Sequence, residues 1–216
     1  MNKKLYFTFL FVINAALVIG QIKTEINVPN FNDEYSITVK NLELGKSDID
    51  YKKFRESFIE SEQFKIANRK FQDLSDLKKE MYSQMANSNF DSIVSISKNM
   101  LSIDYTNMTA HKILRQTYQI LGDTINAKKY KEIQFGLLKS IVNNGDGKSC
   151  ETAWPVIQIS EEYYILEMLD AKLLKQSIDN NGGICDKMEV DINGDKVTYY
   201  FEISKIFEGR KNFEKK

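Results

Sequence analysis

The chain has 216 residues, with 30 basic and 30 acidic side chains and a single histidine. Such a balance argues against an electrostatic nucleic-acid binder, which needs a clustered basic face. The length suits one domain, or one domain with two unlike halves.

Residues 1–20 read as a secretory signal peptide. Lys3 and Lys4 supply a cationic start, Leu5 to Ile19 an apolar stretch, and Val18-Ile19-Gly20 a cleavage site. The alternative, an uncleaved anchor, is disfavoured because the apolar stretch is shorter than the ~20 residues of a spanning helix. Cleavage removes Lys3 and Lys4 and leaves 28 basic against 30 acidic residues, a net charge of −2. The expected location is periplasmic or secreted, without membrane insertion after cleavage. Residues 21–50 read as an extended lead-in, because Val28, Phe31, Tyr35, Ile37 and Val39 show no sustained helical period.

From Ile49 the period turns helical. Stripes of apolar residues run through Tyr51, Phe54 and Phe58; Leu74, Leu77, Met81 and Met85; Phe90, Val94 and Leu101; Leu114, Tyr118 and Leu121; and Ala127, Tyr130, Leu138 and Ile141. They predict about five helices with short connections across residues 51–145. Leu114, Tyr118, Gly122 and Ala127 sit at tetratricopeptide spacing, although Arg115 and Lys131 depart from that pattern. The expected architecture is helical hairpins of this general type.

Residues 146–208 predict a small antiparallel β-sheet with one short helix, giving an α+β fold. A strand is expected over Trp154 to Ile159. A helix follows from Glu161 to Leu169, with Ser160 as N-cap and Glu161-Glu162 at its positive end. A second strand is expected over Leu173 to Ile178. Met188, Val190 and Ile192, then Val197, Tyr199, Phe201 and Ile203, alternate around Asn193-Gly194, a type I′ hairpin turn. That turn pairs Val190 with Val197 and Met188 with Tyr199. Residues 209–216 read as a polar, solvated tail.

Few residues point to chemistry, and no catalytic residue, cofactor or metal is expected. Gly145-Asp146-Gly147-Lys148-Ser149 ends like a P-loop, but Val142 stands where the first glycine belongs and the element order is reversed. Asp191, Asn193 and Asp195 resemble an EF-hand start, but Gly194 precedes the third ligand. Asn144, Asp146 and Glu151 form at best a weak calcium group. His111 lies on a helical stripe and reads as half-buried packing. Cys150 and Cys185 read either as one disulfide or as two free buried thiols.

The segment from Gly136 to Asp186 resembles a known family. Its markers are Gly136-Leu137-Leu138, the run from Gly145 to Trp154, Val156-Ile157, Glu162-Tyr163, Leu166 and Cys185-Asp186. They are similar to domain of unknown function 4919, a family of exported Bacteroidota proteins. The resemblance implies tetratricopeptide-like helices followed by a small α+β segment, and that Cys150 and Cys185 belong together. The chain departs from it at Pro155 and Glu161, where the family favours histidine.

The favoured function is a non-catalytic binding or scaffolding protein of the bacterial envelope, holding a protein or peptide partner. Trp154, Tyr163, Tyr164 and Tyr200 are the candidate partner surface. The alternative is a hydrolase or other enzyme using carboxylates at the helix–sheet junction. A third reading is a maturation factor with transient contacts.

Overall fold

The computed structural model describes residues 25–180 and 183–214; the signal segment and the last two lysines lie outside the described residues. After an irregular stretch at 25–33, helix α1 (Glu34–Glu43) begins on Asp33, whose carboxylate accepts the Ser36 N–H at 2.8 Å. Residues 21–50 were expected to be extended throughout. The helix forms because Tyr35, Val39 and Leu42 recur at i, i+4 and i+7 and are all buried. Ile37, which obscured that period, faces solvent at 52% exposure.

Six helices fill the region where five stripes were read. They are α2 (Tyr51–Glu60), α3 (Glu62–Arg69), α4 (Phe71–Ala86), α5 (Phe90–Ile103), α6 (Met108–Ile120) and α7 (Thr124–Val142). The extra break is Ser61. Its hydroxyl donates to the Phe58 carbonyl at 2.7 Å and accepts the Phe64 N–H at 3.1 Å, ending α2 and starting α3. From α4 to α7 each helix packs on the next. Gly122 makes the turn between α6 and α7 at φ +75°, a conformation that favours glycine.

The sheet has four strands in the order β1-β4-β3-β2. They are β1 (Trp154–Pro155), β2 (Lys172–Asp179), β3 (Cys185–Ile192) and β4 (Asp195–Glu202). The hairpin register is the one its turn dictates, with Val190 opposite Val197 and Met188 opposite Tyr199. Asn193 and Gly194 take φ values of +55° and +96°. The sheet is mixed rather than wholly antiparallel, because β1 runs parallel to β4. The strand expected over Trp154 to Ile159 stops at Pro155, and the chain turns into α8 (Ile159–Met168). Gln158, not Ser160, is the N-cap position, and Ser160 lies inside the helix. The tail expected to be polar and solvated is helical, as part of α9 (Ser204–Glu214). Gly209 is buried against Ile59 and Phe64, where a Cβ would meet Ile59 at 2.7 Å.

One continuous hydrophobic cluster runs from Ile26 through the helices to Ile203, so helices and sheet share a core. Among the described residues, no helix is long and apolar enough to cross a membrane.

Candidate functional site

Helix α8 lies between the sheet and the helical array and carries two adjacent carboxyl groups into that seam. Arg55 of α2 donates through Nε and Nη2 to both oxygens of Glu161, at 2.8 and 2.6 Å. The same Nη2 also donates to the Pro155 carbonyl at 3.1 Å, and the Ile157 N–H donates to Glu161 at 2.8 Å. Both side chains of this pair are 3% exposed. Glu161 is therefore more than a first-turn carboxylate complementing the helix end. It ties α2 to the turn that launches α8.

Glu162 has no such partner. It is 0% exposed, and neither carboxyl oxygen makes a hydrogen bond. Burial raises its pKa to about 8, with further contributions from the carboxylates of Asp186 and Glu161. Asp186 on β3 accepts a hydrogen bond from Gln176 Nε2 at 2.6 Å, and Gln176 Oε1 accepts the Tyr163 hydroxyl at 3.0 Å. Nearby, burial lifts Asp104 to about 6, although Thr106 and Gln158 donate to it. Carboxyl groups with raised pKa values do gather at the helix–sheet junction. A general acid must also reach its substrate within hydrogen-bond distance. Asp104, Glu161 and Glu162 are sealed from solvent at no more than 3% exposure.

His111 is wholly buried rather than half-buried. Its Nε2 lies 2.7 Å from the Tyr105 carbonyl, and burial lowers its pKa to about 4, keeping the ring neutral. The Gly145–Thr152 turn folds on itself. The Asp146 carboxylate accepts the Lys148 N–H at 3.0 Å and the Thr152 hydroxyl at 2.6 Å. The Lys148 ammonium sits 4.0 Å over the Tyr199 ring, which stacks on Trp154. The turn is stapled to β3 by a Cys150–Cys185 disulfide with Cα atoms 5.8 Å apart.

The four candidate aromatics do not form one surface. Trp154 and Tyr164 are core residues: Trp154 donates to the Gly145 carbonyl at 3.0 Å, and the Tyr164 hydroxyl accepts from Gln134 at 2.7 Å. Tyr163 is 44% exposed beside β2, and Tyr200 is half-buried against the disulfide. Aromatic type alone did not separate core from surface.

A groove of about 810 Å³ lies elsewhere, between residues 25–31 and helices α3, α4 and α5. Val28, Phe31, Ile66 and Leu77 supply apolar surface. Glu25, Asp73, Asp76 and Glu80 supply four carboxylates against the ammonium of Lys70. A second, more apolar groove of about 590 Å³ is formed by Met85, Phe90, Ile93, Ile113 and Ile120. Neither groove is lined by Glu161 or Glu162.

A family model described as domain of unknown function (DUF4919) matches residues 23–212. No curated protein and no solved structure matches the chain.

Proposed function

Because this chain belongs to the family of domain of unknown function 4919, we propose its role from geometry: it is an exported protein of the bacterial envelope that holds a protein or peptide partner. The observation that carries the reading is the groove between residues 25–31 and helices α3 to α5. It is open and sets apolar side chains beside carboxylates, a combination suited to a protein segment. The buried carboxyls at the helix–sheet junction lack access to a substrate, which weighs against catalysis. The disulfide and the signal-like start of the sequence support export.

Affinity capture from the envelope of the native host tests this. The intact mature protein is compared with an Asp73→Lys/Glu80→Lys variant. The reading expects the same partner to be enriched repeatedly by the parent protein. It fails if nothing is recovered.

One observation favours an enzyme instead, the raised pKa of the Glu162 carboxyl. That reading requires hydrolysis of a glycan, peptide or ester by the purified protein, abolished by Glu162→Gln. Under the binding reading the same variant keeps its partner.

A further inference from the structure

Helix α4 is unusually bare. Of its sixteen residues only Met81 is buried, and Leu74 and Leu77 are covered in part. Asp73, Asp76 and Glu80 recur at i, i+3 and i+7, so they share the helix face that carries Leu77 into the groove. Asp76 is already engaged, accepting from Gln72 and Lys79. Asp73 and Glu80 make no ion pair or hydrogen bond among the described residues. Across from them Glu25 adds a further carboxylate. The groove thus presents free negative charge to whatever enters it.

A second, independent feature lies on the opposite wall. Residues 25–32 carry no helix or strand, and among the described residues none of their backbone groups bonds another backbone group. The Asn27 N–H is bound to the Ser102 hydroxyl at 2.9 Å, which pins this wall to α5. Pro29 has no N–H to donate, and among the described residues the N–H groups of Ile26, Val28 and Asn30 have no partner. A chain segment with unpaired backbone groups beside a groove of mixed apolar and acidic lining is an arrangement that can add an extended peptide as a neighbouring strand.

Resting on the reading that the protein holds a partner, we propose that this groove takes an extended protein segment with basic side chains two residues apart. The segment pairs with the backbone around residues 26–30 and sets its basic side chains on Asp73 and Glu80. The spacing follows from the two geometries. Seven residues of helix separate Asp73 and Glu80 by about 10 Å along the axis. Side chains two apart in an extended chain share a face and lie about 7 Å apart. The flexible stems of lysine or arginine close the difference. The one residue between them points to the opposite face of the segment, away from Asp73 and Glu80, and threonine suits that position.

The test uses the intact mature protein and a labelled heptapeptide alternating lysine with threonine. Its controls are the glutamate–threonine counterpart and spermidine. Fluorescence anisotropy is expected to register the lysine peptide and not the glutamate one, with binding weakened by added salt. Hydrogen exchange is expected to slow at residues 25–31 when the peptide is present. Asp73→Asn/Glu80→Asn is expected to bind roughly tenfold more weakly, and Asp73→Glu to bind like the parent. The proposal is overturned by equal binding of the acidic peptide, or by no binding of the basic one. It is also overturned if spermidine displaces the peptide with no change in exchange at 25–31, which marks a site for small polycations. A native partner captured equally by the Asp73→Lys/Glu80→Lys variant overturns this proposal but leaves the partner-holding role intact. Failure to capture any partner removes that role.

Discussion

Replacing Glu162 by glutamine is expected to stabilise the protein at neutral pH. The folded chain buries this carboxyl with both oxygens unpaired, and its pKa is raised from 4.5 to about 8. The unfolded chain releases the proton above pH 4.5, whereas the folded chain keeps it until about pH 8. Stability from this group is therefore full below pH 4.5 and falls as pH rises towards 8. At pH 7 the loss amounts to about 3 kcal/mol, taken as an upper bound at ~1.4 kcal/mol per pH unit. Glutamine is uncharged at every pH and close in shape, and it meets the same unpaired surroundings as the protonated acid. Urea unfolding of parent and variant at pH 4.5, 7 and 8.5 measures the difference. The expected gap is near zero at pH 4.5 and grows with pH. His111 has the opposite dependence, because burial lowers its pKa to about 4, but it is common to both proteins and cancels. A gap of constant size at all three pH values refutes the reasoning, because it excludes a proton held by Glu162.

Other outcomes follow from the same structure. Arg55→Met leaves Glu161 as a buried, uncompensated charge and is expected to cost about 3–5 kcal/mol in urea unfolding. The Arg55→Met/Glu161→Met double variant is expected to recover most of that loss. Reducing the disulfide, whose cysteines are 35 residues apart, is expected to lower stability by about 4 kcal/mol, read as a shift in urea midpoint with and without reductant. Gly147→Ala forces a side chain onto a φ of +66° and brings its Cβ within 2.8 Å of the Trp154 ring. It is expected to cost about 1–3 kcal/mol and to change the emission of Trp154, the single tryptophan.

What the sequence disclosed depended on whether the deciding contact was local. The β3–β4 hairpin was legible to the residue pair, because strict alternation and an Asn-Gly turn specify one register. The α6–α7 turn was legible for the same reason, through Gly122 between two helical stripes. Helix α1 was missed because the exposed Ile37 sits between the buried Tyr35 and Val39 and imitates alternation. The strand from Trp154 was read too long because Pro155 and the cap on Ile157 end it within two residues. The burial of Glu161 was invisible, since its partner Arg55 lies 106 residues away. Two adjacent glutamates at a helix start look the same whether they face water or a core. The groove was illegible because one wall had been read only as a lead-in. The other is a helix whose apolar stripe, Leu74, Leu77, Met81 and Met85, is only partly covered by its neighbours.

The most direct test of a partner-holding groove is site-specific photo-crosslinking in the native envelope. A photoreactive residue is placed at Leu77, inside the groove, and in a separate protein at Ile125, which is exposed and outside it. Peptide mapping then identifies what each has joined. The groove reading requires Leu77 to join one recurrent partner through an extended segment containing basic residues, and Ile125 to join it weakly or not at all. Equal labelling from both positions, or a partner found only from Ile125, contradicts it.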